Sequence, residues 1–141
     1  MFKTVLIPVD VSVPQDTQHL LQTAKALTSP WTCDRHVATV IPTVGMPIVG
    51  SYFDENFEND SRKAVQPQLS EAITASGLEA KPHILSGNVY DSVITLAAEL
   101  DADLIIIGAH QPDLRDYLLG SNAARVVRHS KRSVLVVRDT P

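Results

Sequence analysis

The chain has 141 residues, with 12 Lys+Arg against 16 Asp+Glu, a formal charge of −4 and a pI near 5.6; this is the length of one domain, and the acidic balance argues against non-specific binding to duplex nucleic acid. Hydrophobic residues make up 44% and charged residues 20%, the composition of a packed globular domain rather than a disordered chain, and no apolar run reaches the ~18 residues of a membrane span. Met1-Phe2-Lys3 runs into a strand-like segment without a secretory cleavage pattern, and the single Cys33 excludes an intrachain disulfide or a cysteine-rich metal site, so an inert thiol in a cytoplasmic setting is expected.

The first element is Thr4-Val5-Leu6-Ile7-Pro8-Val9-Asp10, with β-branched residues on both faces, as in a central parallel strand covered by helices on both sides. Val13-Pro14 opens a helical stripe of Leu20, Leu21, Ala24 and Leu27, with Ser12 as the expected cap and Pro30 near the end. His36 to Ile41 reads as the second strand, closed by Pro42, which has no N–H for a ladder. From Pro42 to Asp60 the punctuators Gly45, Pro47 and Gly50 and an acidic, aromatic cluster predict a long loop. Its apolar residues Ile48, Val49, Tyr52, Phe53 and Phe57 either cover a ligand or partner subunit or pack on the body of the domain.

Val65, Leu69, Ala72 and Ile73 form a second helical stripe capped by Gly77. Lys81 to Ser86 is the third strand, and Asn88 caps a helix whose inner face carries Val89, Val93, Ile94, Ala97 and Leu100. Asp103 to Gly108 is a continuous apolar strand, a helix follows from Gly120 to His129, and Ser133 to Val137 is the last strand. Strands alternating with helices require right-handed crossovers, which gives an α/β, three-layer, open, parallel five-stranded sheet in a single domain.

In such a sheet the ligand crevice lies outside the carboxyl ends of the strands, where strand order reverses. Pro8-Val9-Asp10, Val40-Ile41-Pro42 and Gly108-Ala109-His110 converge there. Gly120-Ser121-Asn122-Ala123 adds a helix start, whose unpaired N–H groups and dipole favour an anion; a serine-capped turn would look the same. Neither Gly-x-Gly-x-x-Gly after the first strand nor a Walker phosphate loop is present.

Val5 to Asp10 with Ser12, Ile105 to Gly108, Leu118 to Ala124, Val126 to His129 and Ser133 to Val137, in that order, resemble the universal stress protein family over nearly the whole chain. His110-Gln111-Pro112-Asp113 and Tyr117 to Asn122 look like its F-type branch. The resemblance implies strand order 3-2-1-4-5, an adenine-nucleotide alpha-hydrolase-like fold, commonly a homodimer, and ATP binding in nucleotide-binding members; the reading adopted with it adds Mg2+ bridging the phosphates and leaves a higher oligomer open. It also implies that Asp10 and Val40 meet adenine mainly through backbone groups, with Pro8 shaping the turn and Val9 between them in the site. Gly108 would lie under the ribose, and Ser121 and Asn122, next to Gly120, would hold phosphate; His110 is read as a polar loop residue near phosphate rather than a general acid or base, since spacing assures it no partner carboxylate. The family's Gly-x2-Gly-x9-Gly-Ser/Thr loop is here Gly108-x2-Gln111-x8-Gly120-Ser121, so Gln111 either hinders a phosphate by bulk or donates to it.

Asp10 has an alternative role in turn formation beside Ser12. Arg115, Arg125 and Arg128 either reach phosphate or form a solvated face. Three readings of function remain at this point: a nucleotide-responsive regulatory module, a slow ATPase or an enzyme self-phosphorylating on Ser121, and a nucleotide-free assembly protein. In the implied order Ser133 to Val137 is an edge strand whose flanking charges, Lys131, Arg132, Arg138 and Asp139, do not interrupt it, so antiparallel pairing with a second copy is expected.

Overall fold

The computed structural model describes residues 1–42, 55–109 and 121–138. Its elements run β1 (Thr4–Pro8), α1 (Pro14–Thr28), β2 (Asp34–Pro42), α2 (Glu55–Ser76), β3 (Lys81–Gly87), α3 (Val89–Glu99), β4 (Leu104–Gly108), α4 (Ser121–His129) and β5 (Ser133–Val137). All strands are parallel, in the order β3-β2-β1-β4-β5, as expected from the strand–helix alternation and the resemblance. β1 is central because its residues suit burial on both faces: Val5, Leu6 and Ile7 are fully buried.

Strand alternation splits the core in two. Val5, Ile7, Val37 and Ile106 point to one face with Leu20, Leu21 and Ala24 of α1 and Leu69 and Ile73 of α2. Leu6, Ala38, Ile105 and Ile107 point to the other with Val93, Leu96 and Ala97 of α3 and Ala123 and Val126 of α4. Each fully buried Val, Leu or Ile among them contributes about 1.5–3 kcal/mol of transfer free energy. Polar ties fix the strand ends: the Asp103 carboxylate accepts the Lys3 and Thr4 amides at 2.9 and 3.0 Å, and Arg35 donates to Thr28 Oγ1 at 2.7 Å and to the Thr28 carbonyl at 2.9 Å. The Thr28 carbonyl, at the helix end, has no intrahelical donor and accepts both this guanidinium and the Trp31 amide, each at 2.9 Å.

Several local expectations change. β1 ends at Pro8, short of Asp10, because Asp10 already belongs to the following turn. α1 is capped by Val13 without a side-chain bond; Ser12 does not cap it, because its hydroxyl and amide both bond Asp10 Oδ1, at 2.5 and 3.0 Å. Leu27 is exposed, and Thr28, one residue on, takes the inward position. β2 begins at Asp34, two residues earlier than read, since pairing with Thr4 and Val5 extends it.

The loop expected from Pro42 to Asp60 is interrupted by α2, which starts at Glu55. Residues 55–60 carry no apolar period by which the sequence announces this helix start. Ile48, Val49, Tyr52 and Phe53 lie outside the described residues. Gly77 takes φ 75° at the end of α2, the left-handed turn its identity predicts. In α3, Asn88 accepts the Asp91 amide as expected, while Leu96 rather than Ile94 is buried.

His36 and His83 lie on the α3-facing side of β2 and β3, with Nδ1 and Nε2 2.8 Å apart. Burial, then the charges of His83 and Lys81, hold His36 below the usual imidazole range against the opposing pull of Asp34; burial and then Lys81 do the same for His83.

Candidate functional site

β1 connects through α1 to β2 on one side, while β4 lies on its other side, so the strand order reverses at β1 and a crevice opens above its carboxyl end. The crevice encloses about 650 Å³, within the range of small-molecule pockets. Pro8, Val9, Asp10, Val40, Gly108, Ser121 and Asn122 all line it, so residues from β1, β2, β4 and α4 that the sequence marked independently share one wall. Ala109 does not line it: the residue is buried, and its amide donates to the Val137 carbonyl at 2.9 Å, locking β4 to β5. His110, Gln111 and Gly120 lie outside the described residues, as does Arg115.

Two backbone features shape the floor. The Asp10 carbonyl accepts the Val13 amide at 3.1 Å and Thr17 Oγ1 at 2.6 Å, and its carboxylate holds Ser12. The turn-forming role of Asp10 is therefore present, and it presents this turn to the crevice. The Val9 amide donates to the Ala38 carbonyl at 2.8 Å, so Ala38 faces β1. Strand alternation then turns the Val40 N–H and C=O to the same edge, beyond the end of β1, where they face the crevice instead of a ladder partner.

Ile41, Val65 and Val89 add apolar wall, and Thr39 and Gln68 add polar groups. Val65 and Gln68 had no functional signature in the sequence; α2 folding across the sheet brings them here. Val89 follows the Asn88 cap, and that strand-to-helix junction was a signal that could have placed it. The charged groups on the described wall are Asp10 and Asp16, with no Lys or Arg among the described residues. Such a wall repels a bare polyanion and favours a neutral heterocycle or a cation-screened phosphate.

The anion-favouring part is the start of α4 at Ser121, where first-turn amides and the helix dipole meet the crevice. Arg125 is turned elsewhere, with its guanidinium 5.1 Å from the centre of the Tyr90 ring, and Arg128 is exposed. Cys33 is a free, half-buried thiol packed against the core. No group of three or more His, Cys, Asp or Glu among the described residues is arranged to hold a metal directly. No helix among them is long and apolar enough to cross a membrane.

Residues 1–138 match the model of the universal stress protein family. Universal stress protein G of Escherichia coli O157:H7 is 32% identical over 144 aligned positions, covering 98% of this chain and 100% of the relative. Universal stress protein MJ0531 of Methanocaldococcus jannaschii is 28% identical over 98% of this chain and 83% of its own length. Among solved structures, the hypothetical protein MJ0577 superposes with a TM-score of 0.84 at 23% identity, covering 100% of this chain and 99% of that one. A universal stress protein in complex with cAMP superposes with a TM-score of 0.72 at 22% identity over 97% of each chain. One from Archaeoglobus fulgidus in complex with dAMP does so with a TM-score of 0.66 at 20% identity, covering 96% of this chain and 98% of that one. With the sheet order, the crevice and the matched residues in agreement, the chain belongs to the universal stress protein family.

Proposed function

We propose that the crevice above β1 binds an adenine nucleotide, with ATP as the physiological ligand, and that the protein is a regulatory module reporting nucleotide state through its assembly. The carrying observation is the convergence of Val40, Gly108 and Ser121 on one 650 Å³ crevice. The Val40 peptide supplies a donor and an acceptor for the edge of a base. Gly108 leaves room for the sugar, since even an added Cβ would meet only Leu20 Cδ2 at 3.8 Å. Ser121 and the first-turn amides of α4 receive phosphate.

The cAMP and dAMP complexes of the structural neighbours support the class of ligand. The acidic wall fits Mg2+ carried on the phosphates: the ion would supply charge screening, and Asp10 and Asp16 would face the screened ligand rather than a bare one. His110, Gln111 and Gly120 remain part of the proposed phosphate loop. In the same reading, two copies pair antiparallel through the open edge of β5, Ser133–Val137, in the cytoplasm, and the pair is the unit that a higher assembly would use.

Calorimetry with ATP, with and without Mg2+, and with cAMP and adenosine tests the site. Saturable binding is expected, strongest for ATP with Mg2+. Absence of binding by every adenine compound at millimolar concentration would refute the proposal.

A further inference from the structure

The two edges of the sheet are built differently. On β2, Ala38 and Val40 turn their peptide groups towards β1, so Val37, Thr39 and Ile41 serve β3, and on β3 the residues left facing outward are Pro82, Ile84 and Ser86. At each of them a group that an incoming strand would use is missing or taken. Pro82 has no N–H to donate. The Ile84 carbonyl accepts Arg62 Nη1 at 2.8 Å, and Nη2 of the same guanidinium reaches Ser86 Oγ at 3.4 Å. The Ser86 carbonyl accepts Ser92 Oγ at 3.4 Å. On β5 the outward residues are Val134 and Val136, and among the described residues nothing bonds to their peptide groups.

We infer that Arg62, reaching from α2 across the margin of the sheet, seals the β3 edge against pairing with a second copy of this chain, so that lateral association is confined to β5. A guanidinium on an edge carbonyl occupies an acceptor that an incoming strand needs and puts a charge where that strand would lie. A sheet open at both edges would extend copy by copy into a filament; with one edge closed, pairing stops at two. The inference rests on the proposed homodimer only for what the seal limits.

The test is sedimentation velocity over a wide concentration series on Arg62→Met, which keeps the stem of the side chain, on Arg62→Ala, and on Arg62→Lys, which keeps a cationic donor. The Met and Ala variants are expected to reach at least twice the parent's mass, and Lys to keep it. Hydrogen exchange should then show the Ile84 and Ser86 amides protected in the larger species. Folded Met and Ala variants at the parent's mass throughout would overturn the inference. So would larger species whose Ile84 and Ser86 amides exchange as in the Lys variant, and so would unfolding of both, which would make Arg62 a folding contact instead of a seal. A parent that sediments as a monomer defeats the proposed homodimer alone; Arg62→Met converting that monomer to a dimer would still uphold the seal.

Discussion

Val136→Pro is expected to separate the proposed pairing of two copies from folding. The Val137 carbonyl accepts the Ala109 amide at 2.9 Å, so Val137 faces β4 and the alternation of the strand turns the Val136 N–H to the open edge. Val136→Pro therefore removes no bond of the β4–β5 ladder. In a two-fold antiparallel pair each copy donates that N–H once, so two hydrogen bonds are lost; at about 0.5–1.5 kcal/mol each the dimer weakens by about 1–3 kcal/mol, roughly 5–150-fold in Kd. The neighbouring Leu135→Pro is the control, since the Leu135 N–H faces β4 and its loss breaks the internal ladder. Sedimentation gives the dimer constant, and thermal unfolding followed by circular dichroism gives the fold. Val136→Pro should shift the first with a small effect on the second, whereas Leu135→Pro should lower the unfolding midpoint markedly. A Val136→Pro protein that dimerises as tightly as the parent would refute the edge reasoning. Because Val136 is half-buried against the second core cluster, a modest loss of thermal stability accompanies the change.

The His36–His83 pair predicts acid sensitivity. Both folded-state pKa values lie below the ordinary value of 6.5, so below about 6.5 the unfolded chain takes up more protons than the folded one, and stability falls as pH drops from there towards the folded values. Urea midpoints should be level above that window and decline within it, and His36→Leu combined with His83→Leu should flatten the profile; an unchanged slope in the double variant would contradict this. For Asp103, burial raises the carboxyl pKa, but the amides of Lys3, Thr4 and its own residue, and then the Lys3 charge, outweigh that and hold it below the ordinary range. Its contribution is therefore present above the unfolded pKa and lost as pH falls through the folded one, and Asp103→Ala should cost about 1–3 kcal/mol at neutral pH, measured by denaturant titration. Gly108→Ala places a Cβ at an ordinary 3.8 Å from Leu20 Cδ2, so the unfolding midpoint should hold while adenine-nucleotide affinity drops by tenfold or more; unchanged affinity in calorimetry would move the ligand away from Gly108.

Much of the candidate site was legible because its residues sit at strand ends. Pro8 to Asp10, Val40 and Gly108 each follow an apolar run, and in a parallel sheet those ends share one rim. Ser121 and Asn122 were legible for a similar reason, as a helix start after a glycine. Ala109, next to Gly108 in sequence, is not among the residues that line the crevice, because its amide turns to β5, a direction that adjacency alone does not reveal. The start of α2 was not legible because residues 55–60 carry no apolar period, and the role of Ser12 was not legible because Asp10, two residues before it, takes its hydroxyl.

By itself the sequence determined the layer order of the fold, since runs such as Val5-Leu6-Ile7 and Ile105-Ile106-Ile107 are stable only between two helical layers. It also determined the ends of the helices wherever a residue's own backbone chemistry decides them, as at Gly77 and Asn88. Only the tertiary structure decided which distant groups meet. His36 and His83, 47 residues apart, share a contact because β2 and β3 pair in one particular register. Arg62 reaches Ile84 because α2 crosses the margin of the sheet. Local propensity acts over a few residues, whereas strand register and the packing of helices on the sheet follow from the burial of both faces at once, a property of the whole chain.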